Sequence, residues 1–200
     1  MPVQTEIEVK FVNVDHDEVR EKLRAAGAVC EKPMRTMRRV AFDSDFMRDG
    51  KDSYARVRDE GDRVTMTYKQ FDDLSLHGAK EIEFEVSDYE KAVEFLIQLG
   101  LQANSSQETR RETWVLGEAE IMLDEWPWLN PYIEIEAPTE EAVRETAAQL
   151  GFDFADGVYG DVMAAYRIQY PHLGLKDTVG NIELVRFGDP LPDLLISQNS

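Results

Sequence analysis

Glu6, Glu8 and Lys10 alternate with Ile7, Val9 and Phe11 in the segment TEIEVKFVNV. An extended chain therefore puts the charges on one side and the apolar groups on the other. Carboxylates two residues apart on a strand lie roughly 6.5–7 Å apart and repel each other unless bulk water or a cation is beside them. The alternation returns in Arg56 and Arg58; in Thr65, Thr67 and Lys69; in Glu81, Glu83 and Glu85; in Arg111 and Thr113; in Glu120, Met122 and Asp124; and in Glu134 and Glu136. Apolar residues fill the positions between, as in Val64, Met66 and Tyr68, Ile82 and Phe84, Ile121 and Leu123, and Ile133 and Ile135. Any one Glu-x-Glu row reads as the solvated face of a sheet. The whole set is different, because acid and base are segregated by strand. Carboxylate oxygens hold Mg²⁺ or Mn²⁺ while Arg and Lys clamp phosphoryl oxygens, so rows that faced one another would suit a metal-bound triphosphate.

The elements needed to present these rows are legible. Asp15 caps a helix that carries Val19, Leu23 and Ala26 at helical spacing, and Gly27 stops it. TMRRVAFDS (36–44) reads as a strand ending in the turn-rich FMRDGKDS, and SYARVRDE and RVTMTYKQF form a hairpin around Gly61-Asp62. KEIEFEVSD leads into a helix that starts at Asp88 and is ended by Gly100. TRRETWVLG and EAEIMLDEW form a second hairpin, PYIEIEAP is another strand, Thr139 caps a third helix, and a fourth lies near 160–169. The sum is an α+β fold of about eight mostly antiparallel strands, too many for a flat sheet at this strand length. A closed antiparallel barrel is expected, with helices outside against the apolar faces and a charged tunnel inside. One domain over 1–170 and a partly ordered C-terminal extension over 171–200, rich in Gly and Pro, complete the expected organisation.

The chain has 200 residues and a net charge of −18, from 40 acidic against 22 basic residues. Such a balance excludes a generic DNA binder, while leaving room for a local site of either sign. No apolar run is long enough to span a bilayer and the N-terminus has no leader-like apolar region, so a cytoplasmic protein without a membrane partner is expected. Cys30 is the single cysteine and reads as a buried, inert thiol. His16, His77 and His172 lack zinc-like spacing.

Taken in order, Glu6-Ile7-Glu8-Val9-Lys10, Arg56-Val57-Arg58, Lys69, Arg111, Asp124 and Glu134-Ile135-Glu136 resemble the signature of the CYTH proteins, also called triphosphate tunnel metalloenzymes, over about residues 3–170. The individual motifs are short; their ordered combination is specific. The resemblance implies a tunnel of about eight antiparallel strands, and an activity among inorganic, thiamine and RNA triphosphatases and class IV adenylate cyclases. It implies further that Glu6, Glu8, Asp124, Glu134 and Glu136 coordinate Mg²⁺ or Mn²⁺ and that Arg56, Arg58, Lys69 and Arg111 bind phosphate. Lys10 falls where the family has a lysine that contacts the phosphates or assists the attacking group. Two departures stand out: Thr109 precedes Arg110 and Arg111 where the family often has Lys-x-Arg, and MRRVAFDS lacks the usual Asp-x-Tyr-Phe-Asp run. They leave Arg38, Arg39 and Arg110, with Glu81 and Glu83, as site candidates of undecided role.

The implied reactions differ in the nucleophile: water on the terminal phosphoryl group, or a ribose hydroxyl on the α-phosphorus. Hydrolysis of tripolyphosphate, ATP or thiamine triphosphate is the preferred reading, since it needs nothing beyond the tunnel. Class IV adenylate cyclase is the alternative, and a non-catalytic nucleotide- or polyphosphate-binding module a second. A homodimer is one assembly the family allows. The helix carrying Val162, Ala165 and Tyr166 is expected to plug one mouth of the tunnel.

Overall fold

The computed structural model describes residues 4–5, 7–50, 52–73 and 75–197. Among them are ten strands: β1 (Gln4–Thr5), β2 (Glu8–Val12), β3 (Val29–Asp43), β4 (Asp52–Asp59), β5 (Val64–Phe71), β6 (Ala79–Val86), β7 (Gln102–Leu116), β8 (Ala119–Glu125), β9 (Tyr132–Glu136) and β10 (Leu184–Val185). Five helices accompany them: α1 (His16–Ala26), α2 (Asp45–Gly50), α3 (Tyr89–Gln98), α4 (Glu140–Gln149) and α5 (Val162–Gln169). The side-chain oxygens of Asp15, Asp88, Thr139 and Asp161 accept from backbone N–H groups in the first turns of α1, α3, α4 and α5. Gly27 ends α1 at φ 82°, a conformation that a side chain would strain.

The strands follow the order β1-β6-β5-β4-β3-β7-β8-β9-β2. Their ladders are antiparallel, and β10 joins β7 in parallel. The sheet curls into a half-barrel that stays open, in place of the closed barrel expected from the sequence. The reason lies at its ends. The far edge of β2 is taken by Val158, whose backbone exchanges two 2.9 Å hydrogen bonds with Lys10, and among the described residues β6 pairs on its outer side with Gln4 and Thr5 alone. With those groups used, no ladder joins β2 to β6 among the described residues.

Both long strands exceed their sequence expectations. β3 begins at Val29, ahead of Thr36, and β7 begins at Gln102, ahead of Thr109. They pair with each other along nearly their whole length through several register shifts, and irregularities of this kind bend a sheet. The stretch after β3 forms the short helix α2. Cys30 lies in the protruding start of β3 and is exposed, contrary to the buried thiol expected.

The apolar faces turn outward as anticipated. Val9, Phe11, Ile121, Leu123, Ile133 and Ile135 pack against Val19 and Leu23 of α1 and Val143 and Ala147 of α4. Phe42, Ala55 and Val57 pack against Tyr89, Ala92 and Leu96 of α3. The cover stops short of β6, because α3 lies over β4, and Phe84 is left 49% exposed. A third cluster joins Trp126 and Tyr132 to Met163 and Tyr166 of α5 and to Leu173, Val179 and Leu195 of the extension. No helix among the described residues is long and apolar enough to cross a membrane.

Candidate functional site

The charged faces of the strands meet on the inside of the curl, around a cavity of about 1530 Å³. That exceeds the ~300–1,000 Å³ of ordinary small-molecule pockets. Among the described residues, half of the chain's 22 Lys and Arg line it, against a quarter of its 40 Asp and Glu. A strongly acidic protein has gathered its cations here.

Lys10 lies at one side of the cavity, 2% exposed, with Nζ 2.9 Å from Glu8 and 3.2 Å from Glu134. Burial disfavours its ammonium, but Glu134 and Glu8 outweigh burial and hold its pKa above the usual lysine value. It is therefore a fixed cation and a poor general base. Lys69 bridges Glu8 and Glu81, 3.5 Å from each. Arg111 donates from Nε and Nη2 to the two oxygens of Asp124, both at 2.7 Å, and reaches Glu134 at 2.9 Å. Burial would raise the Glu134 carboxyl, yet Lys10 and Arg111 hold it well below the ordinary range.

On the facing strands, Arg56 donates to Thr67 and to Glu83, both at 3.1 Å, and Thr67 donates to the same Glu83 oxygen at 2.7 Å. Arg58 meets Glu60 at 2.6 Å. Arg39 stacks 4.2 Å from the centre of the Trp126 ring and donates to the neutral Gln107 at 2.7 Å. Burial first, then the neighbouring Arg56, push the guanidinium pKa values of Arg58 and Arg39 down, to about 9 and about 10. The Nε groups of Arg35, Arg56 and Arg58 and the hydroxyl of Thr65 are buried without a hydrogen-bond partner. Buried cations with unsatisfied donors are what an anion in this cavity would relieve.

Strands β2 and β9 pair with each other, and most of the nominated side chains among the described residues line one space. Glu6 lies outside the described residues. Glu85 reaches solvent, and Arg110 leaves the cavity for Glu125 and the ring of Phe187.

The family model that matches the chain is the CYTH domain, over residues 4–157. The chain belongs to the CYTH family. No curated protein matches it by sequence. Among solved structures, the PH1012 protein of Pyrococcus horikoshii OT3 is similar with a TM-score of 0.68 at 24% identity, covering 80% of this chain and 98% of that one. A Vibrio parahaemolyticus protein provisionally named an adenylate cyclase aligns with a TM-score of 0.68 at 15% identity, over 81% of this chain and 97% of that one. The Hippeastrum protein HpAC1, whose structure is described as revealing a dominant triphosphatase activity, aligns with a TM-score of 0.54 at 16% identity, over 82% and 96%. At these identities the likeness concerns the fold.

The CYTH match contains the charged strands and stops short of α5. From beyond it, Val162 and Met163 of α5 and Lys176, Thr178 and Asn181 of the extension contribute to the wall of the cavity, with α5 packed in the same cluster as Trp126, on which Arg39 stacks. This wall is anchored where Ser105 donates to the Ile182 carbonyl and where β10 joins β7.

The divalent ion expected of a CYTH protein can be tested against the donors present. Glu8, Glu136 and Glu120 stand directly opposite one another across β2, β9 and β8. Like charges in register are destabilising without a cation, and an all-oxygen set suits Mg²⁺ or Mn²⁺. The donor chemistry fits. Among the described residues no three acidic side chains converge on one point. Lys10, Lys69 and Arg111 hold several of the carboxylates instead.

Glu60 and the cations around it, Lys32, Arg35 and Arg63, escaped the sequence reading. Glu60 is buried at the β4–β5 turn and Arg35 reaches it from β3 at 3.3 Å. A turn glutamate carries no periodic signal, and Arg35 precedes the stretch that reads as a strand. Burial would raise the Glu60 carboxyl, but Arg58 and Arg63 outweigh it and push the pKa down to about 2 from about 4.5. A folded value below the unfolded one stabilises the protein above the unfolded pKa and is lost as pH falls through the folded one. Thermal stability should therefore decline as pH drops from about 4.5 towards about 2, and Glu60→Gln should flatten part of that decline. Melting curves from pH 7 to pH 3 measure both.

Proposed function

We propose that this chain is a divalent-metal-dependent triphosphatase that holds a triphosphate chain in the charged cavity. The observation that carries this reading is a set of cavity-lining guanidinium groups: buried Arg56 and Arg58, which retain unsatisfied donors, and half-buried Arg39, which lacks a carboxylate partner among the described residues. Membership of an enzyme family and the oxygen-only carboxylate row support it.

In this reading Arg56, Arg58, Lys69 and Arg111 clamp phosphoryl oxygens, and Arg39 contacts the end of the substrate nearest the extension. Glu8 and Glu136, with Glu120 beside them, hold the Mg²⁺ or Mn²⁺, and Glu6 and Glu134 complete the acidic side. When bound, the ion supplies Lewis-acid stabilisation of phosphoryl charge. Asp124 serves Arg111, since both its oxygens accept from that guanidinium. Lys10 acts as a charge that offsets Glu8 and Glu134 and faces the phosphates, because its raised pKa keeps the proton in place. Neither Glu81 nor Glu83 is needed as a ligand: they orient Lys69 and Arg56.

One observation favours class IV adenylate cyclase as a second reading. The cavity is larger than a triphosphate requires, and its lining includes Met47, Leu175, Thr178 and Asn181, apolar and hydrogen-bonding groups that an organic substituent could contact. Incubation of the purified protein with Mg²⁺ or Mn²⁺ and either tripolyphosphate or ATP separates the two. Orthophosphate from tripolyphosphate, without cyclic AMP from ATP, is expected; cyclic AMP with stoichiometric pyrophosphate would replace the triphosphatase reading with the cyclase.

A further inference from the structure

Glu60 lines the cavity from the β4–β5 turn, in a position where a hairpin-turn carboxylate ordinarily faces water. Its side chain is instead 2% exposed; it accepts from Arg63 Nε at 3.1 Å and Arg35 Nη2 at 3.3 Å, and forms ion pairs with Arg58 Nη2 at 2.6 Å and Lys32 Nζ at 3.7 Å. Lys32 and Arg63 also meet Asp62 and Glu85, whose side chains are exposed. Arg58 also lies 3.6 Å from Glu83. Arg35 has no other carboxylate among the described residues; it donates besides to the Arg111 carbonyl and the Thr113 hydroxyl.

The unsatisfied donors point to what this arrangement does. Arg35 Nε, Arg58 Nε and the hydroxyl of Thr65, which stands directly opposite Arg58 in the β4–β5 ladder, are all buried and unpartnered. Both guanidinium groups line the cavity, so each is held through Nη2 by Glu60 while a second donor stays unused. Long arginine side chains lose substantial rotamer freedom when fixed, and a carboxylate that fixes them beforehand removes that cost from substrate binding.

We propose that Glu60 is a positioning residue for phosphate binding, holding Arg58 and drawing Arg35 into the clamp as a further phosphate contact. The inference rests on the triphosphate reading above. It makes a prediction whose sign opposes simple electrostatics. Removing a negative charge from the wall of a polyanion site should tighten binding if charge alone matters; removing a positioning group should weaken it.

The test is isothermal titration of the full chain, in Mg²⁺, with diimidotriphosphate, the hydrolysis-resistant analogue of tripolyphosphate. Glu60→Gln is expected to weaken binding about tenfold, approaching the loss in Arg58→Ala, and Glu60→Asp, which keeps the charge, to recover part of it. KM for tripolyphosphate should rise in step, with kcat at saturation and the Mg²⁺ midpoint unchanged. Arg35→Gln, which leaves Glu60 its other cations, should weaken binding to a similar degree and decides the matter if Glu60→Gln does not fold. Unchanged or tighter binding in Glu60→Gln, or unchanged binding in Arg35→Gln, overturns the proposal while the wild type still binds. A wild type that binds no analogue overturns the triphosphate reading and this inference with it.

Discussion

Replacing Arg111 with methionine should cost about 3–5 kcal/mol of folding stability, a fall in Tm of roughly 10 °C for a chain of this size, and remove analogue binding. Arg111 is the bidentate partner of Asp124, which is 1% exposed, and it shares Glu134 with Lys10. Without it Asp124 has no cation within ion-pairing distance among the described residues, and a buried carboxylate left alone pays the whole desolvation penalty. Glu134 keeps Lys10 and suffers less. Urea denaturation monitored by circular dichroism gives the loss directly. The pairwise origin is checked by the double variant Arg111→Met with Asp124→Leu, which removes both charges and should recover most of the stability. A double variant as unstable as Arg111→Met would show that the cost comes from lost packing of the long side chain. Neither variant should bind the triphosphate analogue, since the clamp has lost a cation.

Glu8→Gln should lower triphosphate hydrolysis by about 100-fold or more and move metal saturation to higher concentration, with the fold retained. Glu8 takes Lys10 at 2.9 Å and Lys69 at 3.5 Å and stands opposite Glu136. The amide preserves shape and one acceptor while deleting the charge that an oxygen-coordinated ion requires. Lys10 retains Glu134, so stability should change much less than in the Arg111 variant. Glu136→Gln should act in the same direction. Activity titrated against Mg²⁺ and Mn²⁺ in both variants is the measurement, and full activity with an unmoved metal midpoint in both would refute the assignment of this row to the ion.

Much of the site could be read from residue order because strand parity is a local property. Once TEIEVKFVNV or YIEIEAP is extended, Glu8 and Lys10, or Glu134 and Glu136, must share a face whatever the rest of the chain does. The same parity separates Arg111 from Arg110, so a cavity that takes one excludes the other. Helix starts at Asp15, Asp88 and Thr139 were equally local, since a cap needs only one side chain and the next turn of backbone.

What parity leaves open is which rows meet, and how far the sheet closes. Val158 reaches Lys10 from almost 150 positions away and occupies the edge a closed barrel would have used, and no periodicity in β2 or β6 records that competition. Glu60 gains its cations only when the paired, irregular β3 and β7 carry Lys32 and Arg35 to the β4–β5 turn. The extension becomes a cavity wall only by docking on β7. Residue order by itself determined the chemistry of each strand face, because backbone geometry alternates side chains without reference to neighbours. Tertiary structure alone decided the partners of each charge, because curl, register and edge pairing are settled by contacts between segments far apart in the chain.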